Sequence, residues 1–243
     1  MCVAIISFRE LPDWPIFIAS NRDEYYDRPS SPPALQNSGG VTYLAPRDER
    51  AGGTWIGVNQ HQLFAVITNR SDLSFGTPLE ARSRGLLVQD LLQAGSLAQA
   101  VTVCQKAISQ PSAPYNLVFG TSKGVFLAAV SGAGSGTLRE LPPGSHVVTN
   151  HGEANDSSVG EVRRARALWQ QAQGKEPWQA AREILSLNIP AKDLPPLCKD
   201  HGNRGTVSST LVGISKAGEI QMLHAHGPPV STPYQQVVFR RAR

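Results

Sequence analysis

The sequence predicts an α+β protein in which antiparallel sheets are covered by helices, read as one domain over residues 1–243. Three observations carry this. Elements run strands, helices, strands, helices, strands. The strands come as hairpins instead of alternating singly with helices, which argues against a doubly wound parallel sheet. No linker, composition shift or internal repeat divides the chain.

Val3 to Phe8 and Ile16 to Ala19 are β-branched and aromatic and flank the turn-forming Pro12-Asp13, a first hairpin. From Pro29 to Pro46 the chain reads as an irregular loop or lid, because prolines and then Gly39-Gly40 interrupt it. A second hairpin follows, Thr54 to Val58 and Leu63 to Thr68. Over residues 83–109 the apolar period switches to three-to-four, through Leu87 and Leu91, then Ala100, Cys104 and Ile108. That predicts a helical pair with Ser96 as the N-cap of the second member. Strands return at Leu117 to Gly120, Val125 to Val130 and His146 to Thr149, before a polar loop over Asn150 to Ser158. Two more helices are predicted at Val159 to Gln173 and Trp178 to Leu187, the second opened by Pro177. Strands at Val207 to Ile214, Glu219 to Ala225 and Gln235 to Arg240 end the series.

Composition removes several function classes. Charged residues make up 17 % of the chain, against about 25 % in an average domain. The net charge is +4, and three of its basic residues are the terminal Arg240, Arg241 and Arg243. With no other basic block, no nucleic-acid partner is expected. No apolar run is long enough for a membrane-spanning helix, and no basic segment precedes the apolar opening as in a secretory signal. The three cysteines, Cys2, Cys104 and Cys198, form no CxxC pair. They suggest neither zinc site nor disulfide framework and fit a reducing, cytoplasmic setting.

Motifs are mostly absent too. There is no phosphate loop, H-E-x-x-H or G-x-S-x-G elbow. The Gly132-Ala133-Gly134-Ser135-Gly136 run lacks the third glycine and the following helix of a dinucleotide loop, and reads as a flexible hairpin tip. His224-Ala225-His226 would set two imidazoles on one strand face, as a metal or haem site needs, but without a third ligand it reads as a surface strand end. Cys198 and His201 are read with the same restraint, and no metal is called for.

Cys2 is the first residue with chemistry to offer. Removal of the initiator methionine would expose a thiol and an α-amine on one residue. That amine titrates near ~7.7–8.0, so the nucleophile carries its own base. The alternative is a small buried hydrophobe on an apolar strand. The polar segment Ser20-Asn21-Arg22-Asp23-Glu24-Tyr25-Tyr26 stands at the end of an apolar strand in a chain poor in charge. A guanidinium among carboxylates can orient a nucleophile or hold a carboxylate, while a solvated strand end would look the same.

Cys2 with Asn21-Arg22-Asp23-Glu24, then Gly52-Gly53-Thr54-Trp55-Ile56-Gly57, Thr68-Asn69, Tyr115-Asn116-Leu117, Thr149-Asn150 and Arg204 ahead of Gly205-Thr206-Val207-Ser208-Ser209-Thr210 together resemble the NRDE family, also called the transport and Golgi organisation 2 family. The resemblance implies a fold like that of the N-terminal nucleophile (Ntn) hydrolases, a four-layer αββα sandwich of antiparallel sheets. Within that fold it is similar to cysteine enzymes that cleave or transfer acyl groups on amides. It implies Cys2 as nucleophile, Arg22 and Asp23 beside it with Asp23 orienting the amine, Asn69 and Asn150 as oxyanion donors, and Arg204 completing the site. Asn21 could share Asp23's role or contact substrate, and Trp55 could wall an acyl group or belong to the sheet core. The expected partner is a small acyl substrate and no cofactor is required. A second reading keeps the fold without the reaction, as a haem or acyl-lipid binding or trafficking protein with Cys2, His224 and His226 as candidate ligands.

Overall fold

In a computed structural model of the chain, residues 2–73, 82–132, 135–192 and 194–239 are described. β1 (Val3–Phe8), β2 (Ile16–Tyr25), β3 (Ser30–Ser38), β4 (Val41–Asp48), β5 (Ile56–Asn59) and β6 (Phe64–Asn69) come first, followed by helices α1 (Arg84–Leu92) and α2 (Leu97–Ile108). Next are β7 (Tyr115–Thr121), β8 (Gly124–Gly132), β9 (Ser135–Leu141), β10 (Gly144–Thr149), α3 (Gly160–Gln171) and α4 (Pro177–Leu185). β11 (Arg204–Ile214), β12 (Ile220–Ala225) and β13 (Gln235–Val238) complete the order. The fold class is α+β, and its strands form two antiparallel sheets. Backbone contacts group the chain into two units.

The first unit takes the chain as far as Asp27 and again over Pro143–Val237. Its sheet has the order β10-β1-β2-β11-β12-β13, so β1 and β2 are interior strands. Alternation sends Val3, Ile5, Phe17 and Ala19 to one face, where they pack with Val162, Ala165 and Trp169 of α3 and Trp178, Ala181 and Leu185 of α4. Those helical positions recur at three-to-four spacing, which makes a helix with one apolar stripe lie on the sheet. Phe17 anchors the layer, stacked 5.7 Å from Trp169 and edge-on 4.9 Å from Trp178. Pro177 opens α4 as expected, and the Glu176 carboxylate accepts from the nitrogens of Trp178 and Gln179 at 3.1 and 2.7 Å.

The second unit is built on Arg28–Pro142. Its sheet has the order β3-β4-β5-β6-β7-β8-β9, with α1 and α2 packed on a core of residues such as Leu63, Ala65, Ile67, Leu117 and Phe119. The helical pair is where the periodicity put it, and Ser96 caps α2 by accepting from the nitrogen of Gln99 at 3.2 Å.

Three regions differ from expectation. The stretch read as a loop or lid is the β3–β4 hairpin. Pro32 and Pro33 are accommodated because β3 is an edge strand and its register jumps between Ser31 and Ala34 where they fall. Gly39 and Gly40 take positive φ, +58° and +80°, and turn the chain tightly between Ser38 and Val41. β2 does not stop at Ala19 but runs to Tyr25, because β11 pairs with it all the way to Arg204 opposite Tyr25. β9 is a strand that the glycine-rich run and its polar sequel did not suggest. Gly132 pairs with Ser135 in the β8–β9 hairpin, while the tip itself, like Arg240 to Arg243, lies outside the described residues.

Candidate active site

Because β2 continues through the polar segment, Arg22 and Asp23 are not at a solvated strand end. They are buried in the interior of the first unit's sheet. The β1–β2 register places Val3 opposite Asn21, and one step further it brings Cys2 opposite Arg22. Adjacent strand residues face opposite ways, so only one of Arg22 and Asp23 can share the face of the Cys2 side chain. Opposite them β11 carries Val207 as an extra residue, since Asp23 pairs with Thr206 and Arg22 with Ser208. Such a bulge bends the strand and re-aims its side chains.

Cys2 is held at two atoms. Its main-chain nitrogen donates to Oδ1 of Asn150 at 2.8 Å. Its Sγ lies 3.9 Å from the main-chain oxygen of Asp23. Burial pushes the thiol above its ordinary value, and the Asp23 carboxylate adds to that, while the positive chain terminus and, more weakly, Arg22 oppose it. Arg22 reaches the Glu24 carboxylate at 3.8 Å.

The Asp23 side chain turns to a cluster that the sequence did not disclose. Its Oδ1 accepts from the Thr206 hydroxyl at 2.7 Å, and its Oδ2 lies 3.6 Å from Nζ of Lys199. That ammonium also donates to Oε1 of Glu161, in the first turn of α3, at 3.2 Å. Lys199, Asp23 and Glu161 are all buried. Burial raises the Asp23 carboxyl, with Lys199 and Thr206 acting against it. At Glu161 burial is the largest influence and acts upward, but the Lys199 charge, hydrogen bonds from the Glu161 backbone and from Lys199, and His151 together outweigh it and hold the group below its ordinary value.

The remaining expected residues are placed as follows. Asn21 is fully buried, and its amide donates to the main-chain oxygens of Leu185 and Leu197, each at 2.9 Å, tying β2 to the end of α4. Asn150 presents its oxygen to Cys2, so it is an acceptor there, whereas the oxyanion role assigns it as a donor. Arg204 is exposed at the start of β11 and lines a small depression with Asp23, Glu24 and His201. In the second unit, Asn69 is the exposed last residue of β6, and Trp55 packs on the core under α1 and α2. Gly53 of the Gly-Gly-Thr-Trp motif has backbone work: a Cβ there would meet the backbone of Gly85 and Leu86 at the start of α1.

His224 corrects the surface reading of the His-Ala-His pair. It is buried, its Nδ1 is 2.9 Å from Oγ1 of Thr210, and burial lowers its pKa to about 3. Its neighbour His226 is exposed, so the two rings have unlike environments. Cys104 and Cys198 are both buried thiols.

Comparisons with known proteins agree with this architecture. The chain is similar to an N-acylethanolamine-hydrolyzing acid amidase ortholog from Caenorhabditis elegans, with a TM-score of 0.60 and 14 % identity, covering 87 % of this chain and 92 % of that one. It is also similar to a variant of conjugated bile acid hydrolase from Clostridium perfringens, with a TM-score of 0.52 and 10 % identity over 98 % and 97 % of the two chains. These likenesses show a shared fold, of the Ntn-hydrolase type. Among curated sequences, a mouse Transport and Golgi organization 2 homolog is 27 % identical over 161 residues, 62 % of this chain and 57 % of that protein. The human homolog is 32 % identical over 98 residues, 38 % of this chain and 35 % of that protein. The chain thus spans only part of the length of these relatives. A family model described as Transport and Golgi organisation 2 matches residues 1–188, most of the sequence, and the chain belongs to that family.

Proposed function

We propose that the chain is an N-terminal-cysteine amidohydrolase or acyltransferase that acts on the carbon–nitrogen bond of a small N-acyl compound through an acyl-enzyme on Cys2. One observation carries the reading. The Cys2 main-chain nitrogen donates to Asn150 while its Sγ lies beside the main-chain oxygen of Asp23 on β2, so the nitrogen that methionine removal would turn into an amine and the thiol have separate partners on one residue.

The chemistry follows from the thiol's environment. A thiol pushed up by burial is not a thiolate near neutral pH, so it needs a base. Once methionine is removed, the α-amine of Cys2 is that base: its ordinary pKa lies near ~7.7–8.0, and it is built into the nucleophile. The thiol proton passes to the amine as sulfur attacks the acyl carbonyl and a carbon–sulfur bond forms. When the carbon–nitrogen bond breaks, the ammonium returns the proton to the leaving amine. Water or a second nucleophile then takes the acyl group from sulfur, and its proton restores the thiol. Asn150 keeps the amine pointed at its work throughout, as its oxygen accepts from that nitrogen.

Turnover of a panel of small acyl amides by wild type, Cys2→Ala and Cys2→Ser tests the reading. Both variants are expected to lose it, and equal turnover by either one ends the proposal. Intact mass of the active protein is expected to lack the initiator methionine.

A further inference from the structure

Lys199 was not among the residues that the family resemblance brought forward, yet it is among the most buried charges of the first unit, with a side chain 2 % exposed. A buried ammonium demands compensation, and two carboxylates supply it, Glu161 at 3.2 Å and Asp23 at 3.6 Å. A third group fixes the arrangement. Thr206 Oγ1 accepts from the main-chain nitrogen of Lys199 at 2.9 Å and donates its single proton to Asp23 Oδ1 at 2.7 Å. The Thr206 main-chain nitrogen donates in turn to the Lys199 oxygen at 2.8 Å. Each oxygen of Asp23 thus faces a donor, the hydroxyl on one side and the ammonium on the other. The hydroxyl proton and the ammonium charge both favour the carboxylate form there.

Asp23 is also the residue whose main-chain oxygen meets the Cys2 sulfur at 3.9 Å. A continuous path therefore runs from the first turn of α3 through Glu161, Lys199 and Asp23 to the thiol. Resting on the reading of Cys2 as the nucleophile, we propose that Lys199 is a positioning residue for Cys2, acting through Asp23 with Glu161 as the opposing anchor.

Two carboxylates and one ammonium leave one negative charge over. The positive chain terminus acts to offset it at Asp23. The other titratable or charged groups acting on this cluster are Arg22 beside Cys2, His151 beside Glu161, and Cys198 and Asp200 on the Lys199 segment. Without Lys199, burial drives a proton onto Asp23. The thiol then loses the negative neighbour that holds it up and ionises at lower pH.

The test is the pH profile of Cys2 alkylation by iodoacetamide in the full chain, read by mass of the Cys2 peptide. Wild type is compared with Lys199→Met, Asp23→Asn and the double variant. Lys199→Met and Asp23→Asn are each expected to move the midpoint down by about half a pH unit or more, with no further movement in the double variant, as required if one acts through the other. A Lys199→Met profile that coincides with wild type, or two shifts that add, overturns the proposal. Should Lys199→Met fail to fold with two carboxylates facing no cation, Lys199→Met/Glu161→Gln replaces it under the same expectation. The profile needs no turnover, so failure of this coupling is distinct from failure of the amidase reading, which the Cys2 variants decide.

Discussion

The main-chain nitrogen of Cys2 donates to the side-chain oxygen of Asn150 at 2.8 Å, joining residues 148 apart in sequence. β1 and β10 are antiparallel neighbours, and pairing of Val3 with Thr149 brings the start of one strand to the end of the other. Asn150→Ala removes the acceptor, and hydrogen bonds to charged groups are worth about 1.5–3 kcal/mol. On the amidase reading proposed above, turnover is expected to fall by roughly tenfold to a hundredfold, measured as kcat/KM on an acyl amide for which the proposed activity is found. Asn150→Asp puts a negative charge on the same nitrogen, and the pH optimum is expected to move upward as the ammonium form gains stability.

Asn69 ends β6 with an exposed side chain. If it donates to the oxyanion, as the family resemblance implies, Asn69→Ala lowers kcat by about 10²–10³-fold, the ordinary loss for one such donor. Its thermal stability is expected to stay near wild type. Unchanged kcat removes Asn69 from the reaction.

His224 makes stability pH-dependent. Its pKa is about 3 in the folded protein, against 6.5 ordinarily. The unfolded chain therefore takes up a proton near pH 6.5 that the folded chain refuses until about pH 3. The stabilisation is complete above that window and is lost as pH falls through it, by up to about 1.4 kcal/mol per pH unit. Urea denaturation between pH 4 and 7 is expected to show a shallower acid limb for His224→Gln than for wild type.

Gly53→Ala puts a methyl group 2.7 Å from the Leu86 nitrogen and 2.8 Å from the Gly85 Cα, where backbone cannot yield as a flexible side chain would. A loss of about 1–3 kcal/mol is expected by chemical denaturation. Gly39→Ala is a poor comparison because of its positive φ, so Gly95→Ala, where φ is not positive and a Cβ would meet only the Gln99 Oε1 at an ordinary contact of 3.5 Å, serves as the control with a small effect.

Local pattern was legible and long-range charge pairing was not. The four helices could be read because apolar spacing and caps are short-range signals, as with Ser96 and Pro177. The β3–β4 hairpin was hidden because Pro32 and Pro33 break local strand preference, and only the edge position of β3 explains why they are tolerated. Arg22 and Asp23 drew notice as charges in a charge-poor chain, but their burial depends on β11 arriving from the far end of the sequence. Glu161 and Lys199 had no visible signal, and Thr206 stood out only as part of a family motif with no role attached: an acid in a helix's first turn and a lysine after a cysteine are ordinary until folding brings them together. His224 looked like half of a pair, and only the register opposite Thr210 shows that it is a core residue.

β1 is bonded along all six of its residues to β10 on one side and β2 on the other. Amide hydrogens of Val3 to Ile6 should therefore exchange only when the whole first sheet opens, with protection close to that of global unfolding. The cysteine that precedes them inherits this stiffness, so the thiol assigned to the proposed reaction is carried by one of the last segments to come apart.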